Sequence, residues 1–357
     1  MPRSHSSLDG LRLLCALVSP FSTRAALRTA AAADPPWAVV LAQADTHRLI
    51  PALSVVLARH ELGDLVDDEL ADILAAVADW NTARNEGFRR QMRTVTAAFN
   101  AAGLEPVWLK GALTLLPSDG PAAGRQMMDL DVWLPGESAQ RAAMEVLRGL
   151  GYGFQEGLGE CVRHYPPFFH PDEMARIELH HTIVDPDDPL LPPDVAAAGV
   201  DRLDWEGLRI GRLDPLSRAL CSLAQCTSRQ PDRLATAEVP LMKALDFVTC
   251  IHDAFGGAVP PTLIARVQAA GWGPSTQRFL TLTEALFGLP SPLAADRALV
   301  RRLERFTRWP RWHLTLKAFQ SLFGAGGRQV LRDPRWAPAL VSYYVTRMIS
   351  PGAPGKL

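Results

Sequence analysis

No CxxC pair occurs among the five cysteines, Cys15, Cys161, Cys221, Cys226 and Cys250. Neither a disulfide framework nor a zinc ribbon is indicated, and a reducing compartment fits best. Net charge is nearly absent, at −1, which argues against a surface built throughout for nucleic acid and leaves room only for a local patch. Long uncharged apolar runs are missing too; none approaches the ~20 residues needed to span a bilayer. The short apolar stretch LRLLCALV near the N-terminus is interrupted by Arg12 and makes a poor secretory signal. The expectation is a cytoplasmic protein with no membrane partner. GxSxG, the P-loop GxxxxGK[ST] and a GxGxxG opening a Rossmann unit do not occur, so serine hydrolase, P-loop kinase and dinucleotide dehydrogenase are not indicated.

What is present is ordinary globular composition, 48% hydrophobic and 21% charged over 357 residues, enough for two or three packed units with ample core. Residues 1–103 read as helical, ending in a long helix from about Asp67 to Ala102 with Gly103 as its C-cap. From 104 to 212 short β-rich runs take over: EPVWL, DLDVWL, GYGF, CVRHYPPFF, ARIELHH and GLRIGRL. Two helical pieces lie among them, one starting at Lys110-Gly111 and one over ESAQRAAMEVLRGLG. After about 213 the helical signal returns and runs to residue 357. The expected fold is therefore α+β, a mixed sheet flanked by N- and C-terminal helical segments.

The chemistry concentrates in the sheet region. Strand alternation puts Asp129 and Asp131 of DLDVWL on one face, about 7 Å apart, with Leu130 and Val132 pointing into the core. Buried carboxylates are costly unless paired or metal-bound, and this spacing suits hard cations that share oxygen ligands with a phosphate. DxD alone is weak, because it also caps turns and helices. In ARIELHH the same alternation sets Ile177 and Leu179 on one face, with Glu178 and His180 on the other. Glu178 then supplies a third carboxylate if the two strands are neighbours. Two metals clamping a phosphoryl group would relieve the repulsion among the three. The junction VWLKGAL adds a glycine, Gly111, that allows close backbone approach, a helix start that favours an anion, and the charge of Lys110. With Arg125 it makes a cradle for a polyphosphate.

LKGAL, then GRQMMDLDVWL, GYGF and RIELHH, resembles the motif order of the bacterial nucleotidyltransferase-like family of the DNA polymerase β superfamily, and LMKALDF and LFGLPSP are similar to the segments beyond the core there. The resemblance implies a polymerase-β-like core that moves a nucleoside monophosphate from a nucleoside triphosphate to an acceptor, releasing pyrophosphate. By that likeness Asp129, Asp131 and Glu178 are catalytic and bind Mg²⁺, or Mn²⁺ in its place. Lys110 and Gly111 stand where the superfamily has Gly-Ser against the triphosphate. Some relatives are encoded beside lasso-peptide and other peptide-maturation genes, which suggests a peptide acceptor by association. The rival readings are a degenerate core that binds a nucleotide or peptide without turnover, and a kinase using the same metals.

Four of the nine histidines, His164, His170, His180 and His181, fall close together. Their spacing matches no HExxH or zinc-finger pattern. His180 is read as supporting the site or the acceptor, and His181 as structural. The basic run RRLERFTRWPRWHLTLK, 301–317, reads as a solvated helix face with Trp309 and Trp312 packed inward; a basic site for nucleic acid or an acidic peptide is its functional alternative.

Overall fold

The computed structural model describes residues 7–31, 35–116, 124–154, 162–186, 188–227 and 239–308. Four short helices, α1 (Ser7–Val18), α2 (Arg24–Ala31), α3 (Trp37–Thr46) and α4 (Ile50–Arg59), precede the long α5 (Asp68–Ala101). Asp67 caps α5 by accepting from the Leu70 amide at 2.8 Å, and Asp68 and Glu69 complement the helix dipole. At the other end Gly103 turns left-handed, with φ 75°, and the Leu104 amide donates back to the Phe99 carbonyl. That closure ends a helix expected from sequence at this same glycine.

The seven strands are β1 (Val107–Trp108), β2 (Asp129–Trp133), β3 (Gly153–Phe154), β4 (Phe168–Phe169), β5 (Arg176–His180), β6 (Val200–Trp205) and β7 (Leu208–Leu213). They form one mixed sheet in the order β3-β4-β5-β2-β1-β7-β6. β2 runs parallel to β5 and antiparallel to β1. Helix α6 (Glu137–Gly149) comes after β2, and α7 (Pro193–Ala198) precedes β6. Beyond the sheet lie helices α8 (Pro215–Thr227), α9 (Leu241–Phe255), α10 (Pro261–Ala269), α11 (Gly273–Phe287) and α12 (Arg297–Arg308). The architecture is the expected α+β one, with helices flanking the sheet.

The sheet's two faces differ. One is dry: Leu130, Val132, Ile177 and Leu179 are fully buried against Phe88, Met92, Val95 and Phe99 of α5 and Ala143 and Leu147 of α6. The spacing of four, three and four on α5 gives the apolar stripe such packing needs. On the other face Val107, Leu109 and Trp133 join a second core, built from described helices that precede and follow the sheet in sequence. There α1 packs on α3 and α4 but also on α11 and α12, so the first and last of the described helices pack together.

Two elements were not read from the sequence. α7 is a single short turn after prolines. β6, VDRLDW, carries three charged residues and sits at the sheet edge, where apolar patterning is not required. Its signal lies instead in the two-residue turn Glu206-Gly207, both left-handed at φ 55° and 82°, the hairpin geometry that favours glycine at its second position. LVSYYVTRMI, Trp309, Trp312 and the basic run from 309 onward lie outside the described residues. Among the described residues no helix is long and apolar enough to cross a membrane.

Gly211 of β7 lies between β1 and β6, and a Cβ there would come within 2.7 Å of methyl groups of both Val107 and Val200. Gly211→Ala should destabilise the fold by about 1–3 kcal/mol through overpacking, read as a lower urea midpoint with an unchanged slope.

Candidate active site

Parallel pairing of β2 with β5 sets Asp129 opposite Arg176, Asp131 opposite Glu178 and Trp133 opposite His180. Because alternate side chains share a face, Asp131 and Glu178 emerge side by side from two strands whose reverse carries the buried Leu130, Val132, Ile177 and Leu179. Asp131 is only 3% exposed. The third strand-borne group closes in from the same face, His180 Nε2 lying 2.8 Å from Asp131 Oδ1. Ligand atoms of Asp131, Glu178 and His180 all lie within 4.8 Å of one another, a donor set of two carboxylates and an imidazole that fits a divalent cation. Asp129 is on the same face but outside that group, half-buried at its rim.

Lys110 stands just beyond β1, where the Leu109 amide donates to the Asp131 carbonyl. Its backbone is left-handed, φ 50°, an uncommon conformation for a residue with a side chain. The chain then enters a 3₁₀ turn, Lys110–Leu115, rather than an α-helix. The Lys110 ammonium is ion-paired with Asp131 and 3.5 Å from His180 Nε2. Gly111 is explained by a protein neighbour: a Cβ there would come within 2.6 Å of Met127 Sδ.

Helix α5 and the C-terminal helices fix the approach to β2. The Arg125 carbonyl accepts from Asn81 and Asn85 amides at 3.2 and 2.8 Å, and Arg84 donates to the Met127 carbonyl. The Arg125 guanidinium meets Asp246 of α9 at 2.9 Å. Lys110, Gly111, Arg125, Asp129 and Asp131 line one cleft of about 340 Å³. Among its other lining residues, Arg48 after α3, Arg163 before β4, and Lys243 and Asp246 on α9 were not foreseen as part of the site, whereas Glu178 and His180, which were, are not in its lining. Only the Lys-x-x-Asp spacing in LMKALDF, which puts both side chains on one helix face, could have pointed to Lys243 and Asp246.

The electrostatics arise from crowding. Burial, then the neighbouring Asp131 and Asp129 charges, push the Glu178 carboxyl up to about 7. Burial and Asp131 likewise raise Asp129. Burial would also raise Asp131, but Lys110 and His180 outweigh it and hold that carboxyl well below the usual range. Burial would depress Lys110, yet Asp131 keeps its ammonium above the ordinary value. His180 is lowered by burial despite the pull of Asp131.

Of the clustered histidines, two converge here. His164 Nε2 lies 3.6 Å from Glu178 Oε2, and its ring is 5.5 Å from that of His180. His170 packs on Tyr152 and His181 edge-on against Tyr165.

A protein-family model described as an uncharacterised nucleotidyltransferase matches residues 33–288, a span that includes the sheet, the cleft and most of the surrounding helices. No curated protein matches. No solved structure matches.

Glu178 has a folded-state pKa above its unfolded value, so its contribution to stability is full below about 4.5, the ordinary value, and is lost as pH rises through about 7. His180, shifted downward, acts in the opposite sense below its ordinary value, which makes a difference measurement necessary. In chelator, the melting temperature of Glu178→Gln relative to wild type should rise between pH 5 and 8. A flat or falling difference would contradict the crowded-carboxylate geometry.

Proposed function

The chain belongs to the uncharacterised nucleotidyltransferase family, and from that premise we propose that it moves a nucleoside monophosphate from a nucleoside triphosphate to an acceptor hydroxyl or similar group, releasing pyrophosphate. The observation that carries this reading is the pairing of Asp131 with Glu178 on adjacent parallel strands, with Asp129 on the same face and both aspartates lining a cleft that also carries cationic side chains.

In the proposed division of labour the core is 104–212, and the segments before and after it supply the cleft walls. Asp129, Asp131 and Glu178 hold divalent cations, Mg²⁺ or Mn²⁺, with His180 beside them. Once bound, such ions stabilise charge on the transferring phosphoryl group and lower the pKa of an attacking hydroxyl. Lys110, Arg125, Arg48, Arg163 and Lys243 surround the space left for a triphosphate and compensate its charge. Arg125 is oriented for this by Asp246, and α5 holds the strand entry that fixes Asp129. Glu178, beside Asp131 on the neighbouring strand, would complete the metal site and help lower the acceptor's pKa. A peptide is one acceptor class consistent with the family resemblance.

A second reading, a core that binds nucleotide without turnover, draws support from the Lys110 ammonium lying on Asp131, where a catalytic cation would compete with it.

Incubating the protein with each α-labelled nucleoside triphosphate, a divalent cation and a cell extract as acceptor source should give a labelled macromolecule or small product together with pyrophosphate. Asp131→Asn should lower that rate about a thousandfold, the several kcal/mol of charge stabilisation that a bound metal supplies. Release of nucleoside diphosphate instead would identify a kinase. Metal-dependent nucleotide binding with no product from any extract would favour the binding-only reading.

A further inference from the structure

One buried position has three claimants. The Nδ1 of His180 lies 3.0 Å from the Thr182 carbonyl, and since a carbonyl only accepts, Nδ1 carries the proton. That hydrogen bond fixes the ring so that Nε2 faces Asp131 Oδ1, 2.8 Å away. A hydrogen bond of this kind, made by the far ring nitrogen, commonly orients a metal-binding imidazole. The Lys110 ammonium is ion-paired to the same Oδ1 and lies 3.5 Å from Nε2. Glu178 lies within reach of the same point. The ammonium gets there through a left-handed backbone, φ 50°, and it also lines the triphosphate cleft.

We propose that the pocket bounded by Asp131, Glu178 and His180 takes two cations in turn, the Lys110 ammonium in the resting protein and a divalent cation that displaces it towards the triphosphate cleft. The proposal rests on the metal-binding part of the function proposed above. Displacement alone would strand a buried ammonium, which is costly without an anion. A triphosphate supplies that anion, so metal and nucleotide favour each other's binding, and metal alone binds weakly. Lys110 is then a positioning residue that guards the metal pocket until the nucleotide arrives.

The test is Mn²⁺ binding without nucleotide, monitored by the loss of the free-ion signal in electron paramagnetic resonance, for wild type, Lys110→Asn, Lys110→Met and Asp131→Asn. Asparagine tolerates the left-handed backbone, whereas methionine keeps the bulk of the stem and offers no hard ligand. If Lys110 occupies the pocket in nine molecules of ten, both Lys110 variants should bind Mn²⁺ about tenfold more tightly than wild type, and Asp131→Asn should bind none. Equal or weaker binding by both Lys110 variants, with Asp131→Asn still null, would overturn the displacement and leave the metal site standing. Tighter binding by Lys110→Asn alone would mean that its new amide oxygen is a ligand, and would also overturn it. No Mn²⁺ binding by any of these proteins, each shown to be folded by its thermal melt, would remove the metal site and this proposal together. Should neither Lys110 variant fold, acylation of wild-type Lys110 mapped by mass spectrometry gives the same decision: Mn²⁺ should increase it severalfold, and an unchanged or lower yield would overturn the displacement.

Discussion

Everything at the candidate site depends on keeping carboxylates together where they repel. Parallel pairing of β2 with β5 puts Asp131 directly beside Glu178, a cross-strand combination that is unfavourable by itself. The sheet can hold it because its other face is anchored. Leu130, Val132, Ile177 and Leu179 are locked into the core formed with α5 and α6, so a one-residue slip of either strand that separated the acids would turn two of these apolar side chains out of that core. Hydrophobic burial on one face thus stabilises electrostatic strain on the other, and the strain is relieved by cations from elsewhere in the fold.

Those cations come from scattered parts of the chain. Lys110 lies just after β1, Arg125 leads into β2, and Arg163 lies before β4. Arg48 belongs to the helices that precede the sheet and Lys243 to those beyond it. The charges do not cancel by simple proximity, since several are tied to partners of their own. Arg125 is held by Asp246, and Arg163 lies 3.6 Å from Asp185. The cleft is therefore a framework of partly committed ion pairs, in which an incoming polyanion and its counterions would exchange partners rather than meet bare charge.

The sequence made the local parts legible and left the assembly largely hidden. Alternation in DLDVWL and RIELHH correctly sorted Leu130 and Val132 from the aspartates, and Ile177 and Leu179 from Glu178, because period-two burial is a local property of a strand. That the two strands are neighbours is a long-range fact which periodicity does not encode. The tight grouping of His180, rather than Asp129, with Asp131 and Glu178 arises from the same parallel register. Gly111 was recognisable as a position needing space, but the group that fills the space, Met127, arrives from sixteen residues later. β6 escaped notice because an edge strand bearing Asp201, Arg202 and Asp204 lacks the apolar pattern that marks interior strands. Arg48 was invisible as a cleft residue, since nothing near it in sequence is chemically unusual.

The covering of the sheet's second face has a consequence for how such a protein can change over evolution. Trp133 and His180 occupy paired positions on adjacent strands, yet Trp133 is buried in the core shared with the described helices before and after the sheet while His180 turns its ring nitrogen to Asp131. A single strip of sheet is thus shared by structural packing and chemistry within one residue's width. Recombination that exchanged the helices while keeping the strands would lay bare Trp133, Val107 and Leu109, and would take away the counter-charge of Arg125. The strand region is not a portable cassette. New acceptors would have to be accommodated by altering side chains around the cleft mouth, one at a time, with the helical layer inherited whole.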